Sequence, residues 1–82
     1  MKIVIENLPR DVSEVEIREA LRPFTPTESP IEKVALVSEG SKPAALIDIE
    51  MSRVGAGALA ARINGHIYKG QRLQAWVPLI DD

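Results

Sequence analysis

The sequence predicts an α+β sandwich with elements in the order β-α-β-β-α-β, in which one four-stranded antiparallel sheet carries both helices on a single face. Three observations predict it. Short apolar runs of strand length, β-branched or alternating, occur at 3–5, 31–37, 42–50 and 72–77. Two stretches with three-to-four-residue apolar spacing, 13–24 and 52–64, separate the first strand from the second and the third from the fourth. A turn-forming tetrapeptide, Ser38-Glu39-Gly40-Ser41, joins the middle two strands directly and makes them antiparallel neighbours.

The first strand is Ile3-Val4-Ile5 with Glu6 after it, ended by Asn7-Leu8-Pro9. Ile3 and Ile5 share one face, Val4 and Glu6 the other. The first helix opens on Ser13, which caps, and Glu16, which reaches back to complete a capping box; Val12 and Ile17 supply the hydrophobic staple. Ile17, Ala20, Leu21 and Phe24 form its apolar stripe, and Pro23 ends its regular hydrogen bonding near Arg22. Pro26 and Pro30 stiffen the loop that follows.

In the second strand, Ile31 to Val37, Val34 and Leu36 point inward and Ala35 and Val37 outward; a bulge would decide the side taken by Ile31. The third strand, Lys42 to Glu50, sets Ala45, Ile47 and Ile49 against Ala44, Leu46 and Asp48. Ser52 caps a second helix running to about Asn64, with Ala56, Leu59, Ala60 and Ile63 inward and Gly65 as its left-handed stop. Tyr68 falls in a loop with its ring inward, and Lys69-Gly70 forms a turn. The last strand, Arg72 to Val77, directs Leu73, Ala75 and Val77 inward and Arg72, Gln74 and Trp76 outward, and Pro78 ends it. This is the ferredoxin-like arrangement, and the handedness of its crossovers places strands one and three in the centre. One sheet face is then covered and the other bare.

The totals narrow the function. Eighty-two residues suit a single domain over 1–82. The absence of cysteine excludes disulfides, thiolate metal sites and cysteine nucleophiles. No apolar run approaches the ~20 residues of a membrane-spanning helix, and Met1-Lys2 leads straight into a strand, so a cytoplasmic protein with no membrane partner is expected. A formal charge of −2 is not that of a protein held to nucleic acid by charge alone. His66 stands alone in an Asn-Gly-His loop, and Glu6 and Asp48 lie on a flat sheet with no shaped pocket, so no catalytic residues, metal or cofactor are expected.

Along nearly its whole length the chain resembles an RNA recognition motif. Ile3-Val4-Ile5-Glu6-Asn7-Leu8-Pro9 resembles the family's shorter signature, and Lys42 to Ile49 occupies the place of the longer one. Ser13 to Phe24 resembles the first helix; Ala56, Leu59, Ile63 and Asn64-Gly65, followed by Gly70 and Leu73, resemble the second helix and last strand. The resemblance implies single-stranded RNA on the bare face, with aromatic rings stacking on bases. Those ring positions here are Val4, Ala44 and Leu46, none of them aromatic, and Pro43 replaces a glycine. Lys42 keeps the basic position, which the resemblance assigns to a phosphate.

The expected nucleic-acid-binding residues are therefore Val4, Lys42, Ala44, Leu46, Arg72, Gln74 and Trp76, with Lys2, Lys42 and Arg72 as candidate phosphate contacts. Glu6 and Asp48 share the face and oppose phosphate. Base–aromatic stacking contributes roughly 1–3 kcal/mol per base, so binding without the family's rings is expected to be weak, micromolar or poorer. Three readings of Trp76 stay open: a stacking platform, a residue covered by Leu79 and Ile80, or an anchor for a protein. The aliphatic patch of Val4, Ala35, Val37, Ala44 and Leu46 carries the alternative function, a protein-binding or homodimeric surface on the same fold.

Overall fold

The computed structural model describes residues 1–39 and 42–79, with the side chains of Ser38, Glu39 and Lys42 outside that description. The elements are β1 Lys2–Glu6, α1 Glu14–Leu21, β2 Ile31–Glu39, β3 Lys42–Ile49, α2 Arg53–Ile63, β4 Ile67–Tyr68, β5 Gln71–Arg72 and β6 Gln74–Trp76. Strands β2-β3-β1-β6 form the antiparallel sheet in that order, and β4 and β5 pair separately as a small hairpin. The predicted βαββαβ sandwich, with strands one and three at its centre, is the fold.

Alternation decides which side chains go inside. Ile3, Ile5, Ala45, Ile47 and Ile49 are essentially without solvent exposure and meet Ile17, Leu21, Ala56, Leu59, Ala60 and Ile63 from the helices. Ala56 and Ala60, both buried, keep α2 close to the sheet. Each helix is punctuated as its sequence requires. The Ser13 hydroxyl accepts from Glu16 N–H while the Glu16 carboxylate accepts from Ser13 N–H, the complete capping box. The Ser52 hydroxyl accepts from Gly55 N–H, and Gly65 takes a φ of +91° just past α2.

Several expectations change in detail. The register slips between Ile31 and Lys33, so Ile31 opposes Ile49 and turns inward, while Lys33 opposes Asp48 and faces out. Strand β2 continues to Glu39, two residues past the expected end, because Ser38 and Glu39 still pair with Pro43 and Lys42; of the expected turn, Gly40 and Ser41 lie outside the described residues. Leu36, expected to point inward, opposes the buried Ala45 yet is 44% exposed. Tyr68 is half-buried against the core but belongs to a strand, since Lys69 and Gly70 both adopt positive φ and close a tight hairpin.

The largest change concerns the last strand. Arg72 pairs with Ile67 in the small hairpin, and the fourth sheet strand begins only at Gln74. Leu73 is the hinge: its buried side chain enters the core, its N–H donates to His66 O and its carbonyl accepts from Gly65 N–H. Val77 packs against the core from outside the strand.

Lys69 reaches from the hairpin turn to the Glu16 carboxylate. That hydrogen bond first, and the one from Ser13 N–H second, hold the Glu16 carboxyl below the usual carboxylate range. A carboxylate lowered in the folded state adds stability above its unfolded pKa and loses it as pH falls through the lowered value. Replacing Lys69 by Met is therefore expected to lower stability at neutral pH and to shrink the acid-induced loss, as read by urea unfolding from neutral pH down through the carboxylate range. An unchanged acid limb would remove the pair from the stability of the fold.

Candidate nucleic-acid interface

The sheet face opposite the helices is organised in rows, because cross-strand partners fall side by side. One row crosses all four strands: Ala35 opposes Leu46, Leu46 opposes Val4, and Val4 opposes Trp76. Next to it, Val37 opposes Ala44. The sheet centre is thus floored by aliphatic groups, with one indole at the β6 edge, 41% exposed.

The flanking rows are polar and differ in sign. Toward the start of β1, Asp48 lies between Lys2 and Lys33, its register partners on either side. The Met1 ammonium stands 3.7 Å from the same carboxylate and donates to Ile49 O. Asp48 is therefore surrounded by cations, and this end is net basic. Toward the end of β1, Glu6 opposes Gln74. Among the described residues Glu6 has no ion-pair partner.

The expected site residues divide accordingly. Val4, Ala44, Leu46, Gln74 and Trp76 all stand on the uncovered face. The three expected phosphate contacts do not line one side. Lys2 pairs opposite Asp48, six residues along β3 from Lys42, and the Lys42 side chain lies outside the described residues. Arg72 leaves the sheet face with its hairpin, and its guanidinium packs beside Gly65 at the end of α2. Glu6 and Asp48 occupy opposite ends of the face, separated by the Val4–Leu46 row, and form no carboxylate pair. Lys33, not among the expected residues, joins the face, and counting back by two from Ala35 identifies it in the sequence.

After β6, Pro78 and Leu79 leave the face. Arg53, in the first turn of α2, donates to Pro78 O at 3.2 Å and Leu79 O at 3.3 Å, which holds this segment beside the helix layer. Leu79 is 93% exposed and shields nothing; Ile80 lies outside the described residues. Beyond the Glu6–Gln74 end, an open cleft of about 440 Å³ is bounded by Asn7, Asn64, Gly65, Arg72, Leu73 and Gln74. His66 is exposed and packs edge-on to Phe24 with ring centroids 5.0 Å apart. No cluster of metal-ligating side chains occurs among the described residues.

Solved structures share this architecture. The third RNA recognition motif of Pes4 superposes with a TM-score of 0.78 over 99% of this chain and 94% of its own, at 18% identity. The chain has the RNA recognition motif fold. The motif of Rna15 with bound RNA (GU) gives 0.74 over 99% of this chain and 85% of its own at 16% identity. The three N-terminal RNA-binding domains of the yeast splicing factor Prp24 give 0.74 over 94% of this chain and 32% of theirs at 21% identity. No protein-family model and no curated protein matches the sequence.

Within this RNA recognition motif fold, the Asn-Leu-Pro after β1 has a structural task. Asn7 sits at φ +67°, a region that asparagine tolerates better than most residues, and its amide donates to Arg72 O at 2.8 Å. It thereby fixes the hairpin against the sheet end, while Leu8 is buried. Asn7→Ala is expected to cost roughly 1–3 kcal/mol, combining left-handed strain with the lost hydrogen bond. Asn7→Gly loses the bond but relieves the strain and should cost less in the same urea titration. Equal costs would show that strain plays no part.

Proposed function

We propose that this protein is a non-enzymatic RNA-binding module that takes single-stranded RNA on its uncovered sheet face. One observation carries the reading: on an RNA recognition motif fold, the sole tryptophan of the chain is exposed on the face that neither the helices nor Leu79 cover. The bound RNA in the structure of the Rna15 motif supports the same use of the fold. Trp76 stacks one base, Val4 and Leu46 provide its apolar floor with Ala44 beside them, and Gln74 offers an amide at the edge. Lys2 and Lys33 supply positive charge at the basic end. Lys42 keeps its assigned phosphate role, and Arg72 provides a cation beyond the sheet, across the cleft. With one ring on the face, affinity is weak, micromolar or poorer.

The test is a titration with pools of short single-stranded RNA followed through backbone amide shifts. Shifts are expected on β1, β3 and β6, and Trp76→Ala should weaken binding by roughly five- to a hundredfold, the worth of one stacked base. Unperturbed β1 and β3 amides at saturating RNA would contradict the proposal.

The apolar row from Ala35 to Trp76 favours a second reading, in which a protein or a second copy of the chain docks on the same face. An apolar surface that crosses four strands, aliphatic on three of them, suits side-chain packing better than base stacking alone. Leu46→Glu places a charge at its centre and should abolish such a contact while the thermal transition persists. Sedimentation of the wild type at high concentration as a strict monomer would exclude the homodimer.

A further inference from the structure

Resting on the RNA-binding reading, we propose that Glu6 and Gln74 form a base-reading pair beside Trp76 and select guanine. The pair is fixed by register: Glu6 and Gln74 are cross-strand partners on the uncovered face, and Trp76 stands two residues from Gln74 on the same side of β6. Directly opposed partners have Cβ atoms about 5 Å apart, and two strand residues span about 6.8 Å. A purine lying on the indole of Trp76 therefore extends its edge toward the row occupied by Glu6 and Gln74. The cleft bounded by Asn7, Arg72 and Gln74 leaves space beyond that row.

The chemistry of the two side chains decides which base fits. An ionised carboxylate only accepts hydrogen bonds, through two adjacent oxygens, whereas a glutamine amide can donate. Guanine presents two neighbouring donors, N1–H and the N2 amine, next to the O6 acceptor. Glu6 accepts from both donors and Gln74 donates to O6. Uracil sets a single N–H between two carbonyls, so a carboxylate meets a repelling oxygen. Cytosine and adenine each place one amine beside a ring nitrogen that accepts. Guanine alone offers the carboxylate two bonds. Glu6 thus gains a positive role on a face where, as a bare charge, it would merely oppose phosphate. Asp48 cannot share this role, because Lys2, Lys33 and the Met1 ammonium surround it. The Asn7 amide is likewise engaged, with Arg72 O.

The experiment compares five-nucleotide RNAs that differ at the central base: UUGUU, UUUUU, and UUIUU, in which inosine lacks the N2 amine. Binding is read by anisotropy and by the shifts of the Gln74 and Trp76 side-chain N–H groups. The wild type is expected to prefer UUGUU over UUUUU by about tenfold, in line with the discrimination of a bidentate base contact. UUIUU should lose most of that preference. Glu6→Gln, isosteric and half-exposed, should abolish the preference while binding UUUUU at least as well as the wild type. Equal binding of the three RNAs, or a guanine preference that survives Glu6→Gln, would overturn the pair and leave RNA binding standing. No binding of any of them would overturn both.

Discussion

The two-residue period of the two central strands is the constraint on which the rest of this molecule depends. In β1 and β3 every second side chain is a buried aliphatic group, and Ile3, Ile5, Ala45, Ile47 and Ile49 together make the floor beneath the helices. A slip of one residue in both strands would carry this set to solvent and bring Val4 and Glu6 from β1, and Leu46 and Asp48 from β3, into the core. Burying the two carboxylates without partners would cost several kcal/mol, so the register is held by what it hides and by what it must leave outside. Helix α2 reinforces it, since Ala56 and Ala60 let the helix backbone come close to the sheet. The face that can meet a ligand is therefore fixed by the packing of the face that cannot.

The face that stays outside is not uniform. Its centre is aliphatic and carries a single ring, placed on an edge strand and not in the middle. Its two ends differ electrically: cations crowd around Asp48 at one, and Glu6 faces an amide at the other. A nucleic acid lying there gains little from charge in total, consistent with the net charge of −2. On the proposed reading it gains more from one stacked base and from hydrogen bonds directed at that base's edge. The proposed pair would trade general affinity for selectivity, since a carboxylate opposes most of a nucleotide and rewards only a matched pair of donors.

The sequence made much of this legible and obscured some of it, for identifiable reasons. Alternation in Lys42 to Ile49 reveals the two faces of β3 because its inward residues are all apolar. The capping box at Ser13 and Glu16 marks the start of α1 because its chemistry is local. The path from Tyr68 to Trp76 was harder, because Arg72, Gln74 and Trp76 alternate as one strand would, yet the buried Leu73 and its bonds to Gly65 and His66 split the run. Alternation alone therefore puts Arg72 on the sheet, whereas it pairs with Ile67. The inward turn of Ile31 depends on a register slip that no periodicity reports, and the exit path of the chain after Pro78 depends on a long-range bond from Arg53.

The central claim is that the uncovered layer is free in the isolated molecule and becomes occupied on recognition. Relaxation of methyl protons by a soluble paramagnetic agent tests both halves together. In the free protein the methyls of Val4, Ala44 and Leu46 should be strongly relaxed and those of Ile3, Ala45 and Ile47 spared. Addition of a guanine-containing oligonucleotide should then protect Val4 and Leu46. Methyls on the outer face that are already shielded without ligand, or that stay fully relaxed with it at saturation, would contradict the account.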